Sequence, residues 1–351
     1  MKCLLTGATG FLGKRILNRL INDRRIEIIH VISRRKRFHP HPKVKIHTAD
    51  LADPWAGYEY LNEIDSIIHT AGLYQFHQSF EKNYKQNVFP VLNMIDRIEQ
   101  MKEKKKPQIL LASTYAVGLG SSQAIPEKPL INLPPLSEGY AYTKAIAERA
   151  LSDSNLPSRI FRLGVLTGDT KTGEIEKIDG PYYLMSFLNK LARINHFNKI
   201  IRIPIPANAS GTIPLVPVDE AAAVIHKALF FEPLAPKRKE FFGVFNAQSI
   251  KIETLVYAIL KNSLPNCKPV FISSYFIPKF IFNLQSLFSK IPTESFDYTL
   301  NPIPLDNPHF IDIFGDNAIS HFDKYEDQFF KGFKFCTTGI PTTLKESDAN
   351  P

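Results

Sequence analysis

Cysteine is scarce. The 351-residue chain has three, Cys3, Cys267 and Cys336, far apart and without a CxxC or Cys/His cluster. Neither a disulfide framework nor a metal site is therefore expected, and the cysteine usage suits a reducing cytoplasm. Long apolar runs are missing as well. No stretch approaches the ~18 residues needed to span a bilayer, and the short run after Met1 is cut by Gly7, so no secretory signal is expected. Zinc-finger, RRM and helix-turn-helix signatures are absent, so nucleic acid is not an expected partner even though the formal net charge is +9. Two basic clusters contribute to that charge, Arg34-Arg35-Lys36-Arg37 and Lys102 to Lys106. The second closes a helical pattern, where lysines meet the helix dipole and water.

What the chain does hold is an alternation of short apolar runs with helical patterns, and 44% hydrophobic residues to fill a core. Strands are expected around residues 3–5, 26–32, 44–47, 66–70, 108–112 and 159–163. A long helix is expected from about Gln78 to Met101, and another over Tyr140 to Leu151. This order predicts an α/β fold: a Rossmann-type doubly wound parallel sheet, covered on both faces, that binds ligand at the carboxyl ends of its strands. The pattern loosens after Thr167. Residues 1–165, continued by 213–250, are expected to form the nucleotide-binding domain. Residues 166–212 and 251–345 are expected to form a smaller substrate lobe, and 346–351 a flexible tail.

Glycine is not abundant, but three glycines stand together at the end of the first strand. Thr6 to Gly13 read T-G-A-T-G-F-L-G. Gly7 permits a sharp turn, Gly10 lets backbone N–H groups approach a pyrophosphate, and Gly13 lets helix and strand pack closely. Thr6, Gly7, Thr9, Gly10, Phe11, Leu12 and Gly13 are the expected phosphate cradle. The spacing is G-x-x-G-x-x-G, not the commoner G-x-G-x-x-G.

A second constellation follows. The fifth strand ends in Ser113-Thr114, and the next helix opens with Tyr140-Ala141-Tyr142-Thr143-Lys144. Tyr140 and Lys144 stand one helical turn apart on one face. A free phenol ionises near pH ~10 and is a poor acid–base at neutrality. A neighbouring ammonium favours the phenolate, so Tyr140 is placed to exchange a proton with a substrate oxygen. Ser113 would hydrogen-bond the same oxygen, Lys144 would also reach the nicotinamide ribose, and Asn87 would hold a water that relays the proton.

With these residues the chain resembles the extended, epimerase-like branch of the short-chain dehydrogenase/reductase superfamily over about residues 1–250. The resemblance rests on Thr6 to Gly13, Asp50-Leu51, His69-Thr70-Ala71-Gly72, Asn87, Ser113, Tyr140, Lys144, Arg162-Leu163-Gly164 and Val216-Pro217-Val218-Asp219. It implies that Ser113, Tyr140 and Lys144 are catalytic. It also implies that Asp50 and Leu51 face the adenine, that Thr70, Ala71 and Gly72 border the cofactor, and that Leu163, Gly164 and Val165 do so at the end of the sixth strand. The second strand ends in Ser33-Arg34-Arg35, with no carboxylate to bond a ribose 2′-OH. An arginine fork suits a 2′-phosphate, so NADP(H) is favoured over NAD(H).

Gly168 to Tyr183 (G-D-T-K-T-G-E-I-E-K-I-D-G-P-Y-Y) resembles a segment of bacterial fatty acyl-CoA/fatty aldehyde reductases. That likeness implies reduction of a carbonyl in a long-chain fatty acyl thioester or fatty aldehyde. The chain departs from the family in having Leu163 where a proline is usual, and it contains one dehydrogenase half where those reductases have two. Other readings within the superfamily are a hydroxysteroid or ketone dehydrogenase and a nucleotide-sugar epimerase or dehydratase. A non-catalytic NADP sensor is the reading from another class. An apolar small-molecule substrate fits the 26 phenylalanines. A helical stripe from Phe276 to Ile291 reads as a core helix, with an acyl-pocket wall or an interfacial membrane contact as alternatives. A homodimer through the long helix and the tyrosine helix is implied by resemblance alone.

Overall fold

The computed structural model describes residues 1–34, 40–53, 60–74, 78–102, 106–136, 139–176, 178–194, 201–272 and 294–338. The Phe276–Ile291 stripe and Arg35 lie outside these residues. The chain runs through β1 (Lys2–Thr6), α1 (Phe11–Asn22), β2 (Ile28–Ser33), β3 (Val44–Thr48), β4 (Ser66–His69), α2 (Phe80–Asn87), α3 (Phe89–Glu99), β5 (Gln108–Thr114), α4 (Gly139–Asp153) and β6 (Ser158–Leu163). It continues through β7 (Val165–Thr167), α5 (Tyr182–Ile194), β8 (Ile201–Pro206), β9 (Thr212–Ile213), β10 (Leu215–Pro217), α6 (Val218–Ala228) and β11 (Lys239–Val244). Then follow β12 (Ile250–Lys251), α7 (Ile252–Ser263), β13 (Cys267–Ile272), α8 (Ser295–Leu300), α9 (Pro308–Phe314) and α10 (Glu326–Thr338).

Two compact units result. The first comprises 1–164, 219–247 and 303–319, and the second comprises 165–218, 248–302 and 320–351. In the first unit seven parallel strands lie in the order β11-β6-β5-β4-β1-β2-β3. The strands are apolar on both faces because helices cover both. All seven residues of β5 and all six of β6 are buried, which leaves no solvent face to alternate with. On one side Leu4, Ile67, Ile109 and Ile160 meet Val91, Met94, Ile95 and Ile98 of α3.

The helix expected to run unbroken from Gln78 to Met101 is two helices. α2 ends at Asn87 and α3 begins at Phe89. Pro90, in the first turn of α3, has no N–H for the carbonyl four residues back, and its ring crowds that position.

Residues 303–319 were expected in the substrate lobe but belong to the first unit. The polar contacts of Asn307 and Glu127 explain the placement. The buried Asn307 amide donates to the carbonyls of Gly243 (2.7 Å) and Phe245 (2.8 Å) at the end of the edge strand β11. The Glu127 carboxylate accepts from the N–H groups of Gly243 (2.7 Å), His309 (2.7 Å) and Phe310 (3.2 Å), and so caps α9. Phe314 meets Phe242 edge-on, and His309 stacks on the same ring.

The second unit holds three two-stranded pairs: β7 with β10, β9 with β12, and β8 with β13. Its core stacks Tyr182 of α5 on Phe329 of α10, with ring centroids 4.6 Å apart. The Tyr182 hydroxyl accepts the Gly168 N–H at 3.2 Å. The Asp169 carboxylate accepts from the N–H groups of Lys171 and Thr172, so the Gly168–Tyr183 segment begins as a tight acidic turn. Among the described residues no helix is long and apolar enough to cross a membrane.

Asn307→Ala would take its donor from the buried Phe245 carbonyl, at about 1–3 kcal/mol, and leave the Gly243 carbonyl with the Phe245 N–H alone. Urea melts should show a loss of roughly 1–3 kcal/mol, while an exposed control such as Lys261→Ala should stay within about 0.5 kcal/mol.

Candidate active site

The glycine turn lies where β1 hands over to α1. Gly7 has φ +74°, and a Cβ there would sit 2.6 Å from the Ala71 nitrogen and 2.7 Å from Thr70 Oγ1. A side chain at position 13 would meet the Gly7 carbonyl oxygen at 2.0 Å. Both positions therefore need glycine. Gly10 is the N-cap of α1, no side chain caps the helix, and its first turn holds no acid. An α-helix start leaves its first N–H groups without internal partners and carries positive partial charge. Phe11, Leu12 and Gly13 form that first turn.

The ends of β1 and β4 are tied together beside this turn. Thr70 Oγ1 donates to the Thr6 carbonyl at 2.7 Å, and Thr6 Oγ1 pairs with Nδ1 of the buried His69 at 3.0 Å. Burial holds the His69 imidazole down, to about 3, and the Lys144 charge adds to the effect. His69 is therefore neutral at physiological pH.

β5 and α4 bring the other residues together. Ser113 is buried as the next-to-last residue of β5, and among the described residues its Oγ has no hydrogen-bond partner. Lys144, also buried, donates from Nζ to the carbonyl of Ala112, the residue before Ser113, at 2.6 Å. Tyr140 lies one turn before Lys144 on α4, half-buried, with the Tyr74 ring edge-on at 4.8 Å. Burial pushes the neighbouring Tyr115 phenol well above its ordinary range, and the Tyr140 charge pushes it the same way. Tyr115 therefore stays protonated. α4 is anchored from below by a buried ion pair: Arg162 Nη2 of β6 stands 2.9 Å from Glu148 Oε2. The same guanidinium donates to the carbonyls of Pro126 (2.8 Å) and Lys128 (2.9 Å) in the β5–α4 loop.

Asn87 is buried at the end of α2, and its amide is engaged by the protein. Oδ1 accepts the Leu73 N–H at 2.7 Å, and Nδ2 donates to the Leu73 carbonyl (3.3 Å) and to Thr143 Oγ1 (3.1 Å). It clips the loop after β4 to the tyrosine helix.

The outlying residues fall as follows. Ser33 ends β2 and Arg34 is exposed just beyond it. Asp50 is exposed, and its carboxylate accepts the Ala52 N–H at 3.0 Å as a turn aspartate would. Leu51 is half-buried. Leu163 and Gly164 end β6 in the first unit. Val165 opens β7 in the second unit, and its N–H goes to the Pro214 carbonyl at 2.7 Å. Sequence reasoning missed Tyr74, Tyr115, Glu127 and Glu148. Tyr74 and Tyr115 sit in no spaced motif, and the fold brings both beside Tyr140; Glu148 stands one turn after Lys144, and Glu127 serves the start of α9. Among the described residues no group of three or more His, Cys, Asp or Glu is placed to hold a metal.

Burial pulls the Lys144 ammonium down from 10.5 to about 8, against the opposing pull of Glu148. A base whose pKa is lower folded than unfolded destabilises the fold in full below pH 8, and the penalty fades as pH rises toward 10.5. That shift corresponds to roughly 3 kcal/mol at pH 7, partly offset by the bond to Ala112. Lys144→Met should therefore be more stable than the parent by about 1–3 kcal/mol in urea melts at pH 7, and the gain should shrink by pH 10.5. A variant less stable at pH 7 would show that the amine is not under strain.

A family model described as "Male sterility protein", of the NAD-binding type, matches residues 5–55 and 41–225. The chain is 28% identical over 241 residues to the hybrid PKS-NRPS synthetase pydA of Acremonium sp., a match that takes in 63% of this chain and 5% of that protein. The chain thus spans about one-twentieth of the length of this curated relative. Two solved structures share its fold. The terminal R domain from the myxalamid PKS-NRPS biosynthetic pathway has a TM-score of 0.73 at 18% identity, covering 96% of this chain and 90% of that one. A thiolation-reductase di-domain from an archaeal non-ribosomal peptide synthetase has a TM-score of 0.70 at 19% identity, covering 96% and 75%. The glycine turn and the Ser113, Tyr140 and Lys144 cluster lie within the matched span, and the chain belongs to the male sterility protein family of NAD(P)-binding extended short-chain dehydrogenase/reductases.

Proposed function

We propose that the protein is an NADPH-dependent reductase of an acyl chain held as a thioester, or of the corresponding long-chain aldehyde. The observation that carries the reading is the buried Ser113 hydroxyl, without a partner among the described residues, next in sequence to the Ala112 carbonyl that takes the Lys144 amine. A buried hydroxyl left unpaired is costly, so it fits a ligand oxygen that would complete it. The kinship supports the thioester: one solved neighbour joins its reductase to a thiolation domain.

The residues present suit a dinucleotide. Thr6, Gly7, Thr9, Gly10, Phe11, Leu12 and Gly13 would hold the pyrophosphate at the uncapped start of α1. Asp50 and Leu51 would flank the adenine, Thr70, Ala71, Gly72, Leu163 and Gly164 would border the nicotinamide half, and Ser33 with Arg34 would meet the 2′-phosphate. When bound, NADPH supplies a hydride to the substrate carbonyl carbon. Ser113 holds and polarises the carbonyl oxygen. Tyr140 gives that oxygen its proton. Lys144 sets its positive charge beside the phenol and orients the ribose. With a thioester, the resulting hemithioacetal releases thiol and leaves aldehyde, so one NADPH and one proton are consumed per thiol released. The site lies at the carboxyl ends of β1, β4 and β5, where buried groups interact in low dielectric.

The test is NADPH oxidation followed against palmitoyl-CoA, long-chain aldehydes, ketosteroids and sugar nucleotides, with free thiol measured in parallel. Turnover of the first two classes alone is expected, and turnover confined to steroids or sugar nucleotides would overturn the substrate reading. Tyr140→Phe should lower kcat by about 100- to 10,000-fold while NADPH still binds. Arg34→Ala should weaken NADPH about 10- to 100-fold and leave NADH nearly unchanged. Equal NADPH and NADH affinities in the parent would overturn the cofactor preference.

A further inference from the structure

Tyr140 is held by more than its own helix. After β4 the chain passes through Thr70, Ala71, Gly72 and Leu73 to Tyr74, whose ring meets Tyr140 at a centroid distance of 4.8 Å and an interplanar angle of 68°. This is the edge-to-face arrangement that aromatic quadrupoles favour. The arm carrying Tyr74 is not a loose loop. The buried Asn87 amide grips both the N–H and the carbonyl of Leu73. The same amide reaches Thr143 Oγ1, whose hydroxyl lies 2.7 Å from the Gly139 carbonyl and 3.0 Å from that of Tyr140. One side chain thus fixes the arm to the first turn of α4. The start of the arm is pinned as well, by Thr70 to the Thr6 carbonyl at 2.7 Å.

We propose that Tyr74 is a positioning residue for Tyr140: carried on an arm clamped by Asn87, its ring fixes the orientation of the proton-donating phenol. The inference rests on the reading of Tyr140 as proton donor. A phenol on a partly exposed helix turn rotates about two side-chain torsions, and proton transfer needs its hydroxyl within hydrogen-bond reach of the substrate oxygen. The ring beside it removes that freedom before substrate arrives.

The experiment uses the full chain with palmitoyl-CoA and NADPH, and compares Tyr74→Phe, Tyr74→Leu, Asn87→Leu, the Tyr74→Leu/Asn87→Leu double variant and Tyr140→Phe. Tyr74→Phe keeps the aromatic edge and should hold kcat within about 2-fold. Tyr74→Leu should lower kcat about 3- to 10-fold, with KM and NADPH affinity unchanged. Asn87→Leu should lower kcat similarly, and the double variant should be no worse than the poorer single, since both remove one effect. A readout independent of turnover is 13C-ring tyrosine NMR of the NADPH complex. The Tyr140 resonance should move in Tyr74→Leu and hardly move in Tyr74→Phe. A Tyr74→Leu variant with parental kcat and an unmoved Tyr140 resonance would overturn the inference, as would a loss confined to KM. Parental turnover in Tyr140→Phe would instead remove the premise that Tyr140 is the donor, and the inference with it.

Discussion

The first unit is organised around one buried bond, from the Lys144 amine to the Ala112 carbonyl. It joins the middle of α4 to the end of β5. An ammonium is expensive to bury, and the chain answers that cost in two ways. The backbone carbonyl receives the amine directly, and Glu148, one turn further along α4, supplies opposite charge. Glu148 is in turn held by Arg162, whose guanidinium also ties down the β5–α4 loop. Lysine, glutamate, arginine and loop form one continuous polar path through an otherwise apolar layer. Within that path the buried ion pair is Glu148 with Arg162, and removing either of those two costs about 3–5 kcal/mol.

Neutral groups are kept neutral around the same charge. His69 is deprotonated by burial, and Tyr115 is held as a phenol by burial. The site therefore concentrates its ionisation on few groups. Lys144 is less stable buried than exposed, and that strain is what a functional position shows when stability is given up for chemistry.

Much of this was legible in the sequence where the signal is local. The glycine turn needs three residues at fixed spacing between a strand and a helix, and its steric reason is visible at Gly7 and Gly13. Tyr140 and Lys144 announce themselves by one turn of helix, and the parallel sheet by its continuous apolar strands. The rest depends on contacts between residues distant in the chain. Asn87 was found, but its work could not be read, because Leu73 and Thr143 become its partners only after the loop and α4 come together. Tyr74 carries no motif, and nothing in its neighbours places its ring on residue 140. Glu127 looks like a solvated loop acid until α9 arrives above it. The break at Val88 was missed because the apolar period continues through Pro90 while its missing N–H does not.

The contacts of segment 303–319 bear on how the molecule must be made. The Glu127 carboxylate waits for N–H groups 182 and 183 residues further along, and the end of β11 waits for Asn307, 64 residues on from Gly243. During synthesis the nucleotide-binding sheet emerges with one margin unfinished, and it stays so until residues 303–319 have been released. A fragment that stops after β11 would carry every residue of the glycine turn and of the Ser-Tyr-Lys cluster, yet would expose an open strand border suited to pairing with another copy.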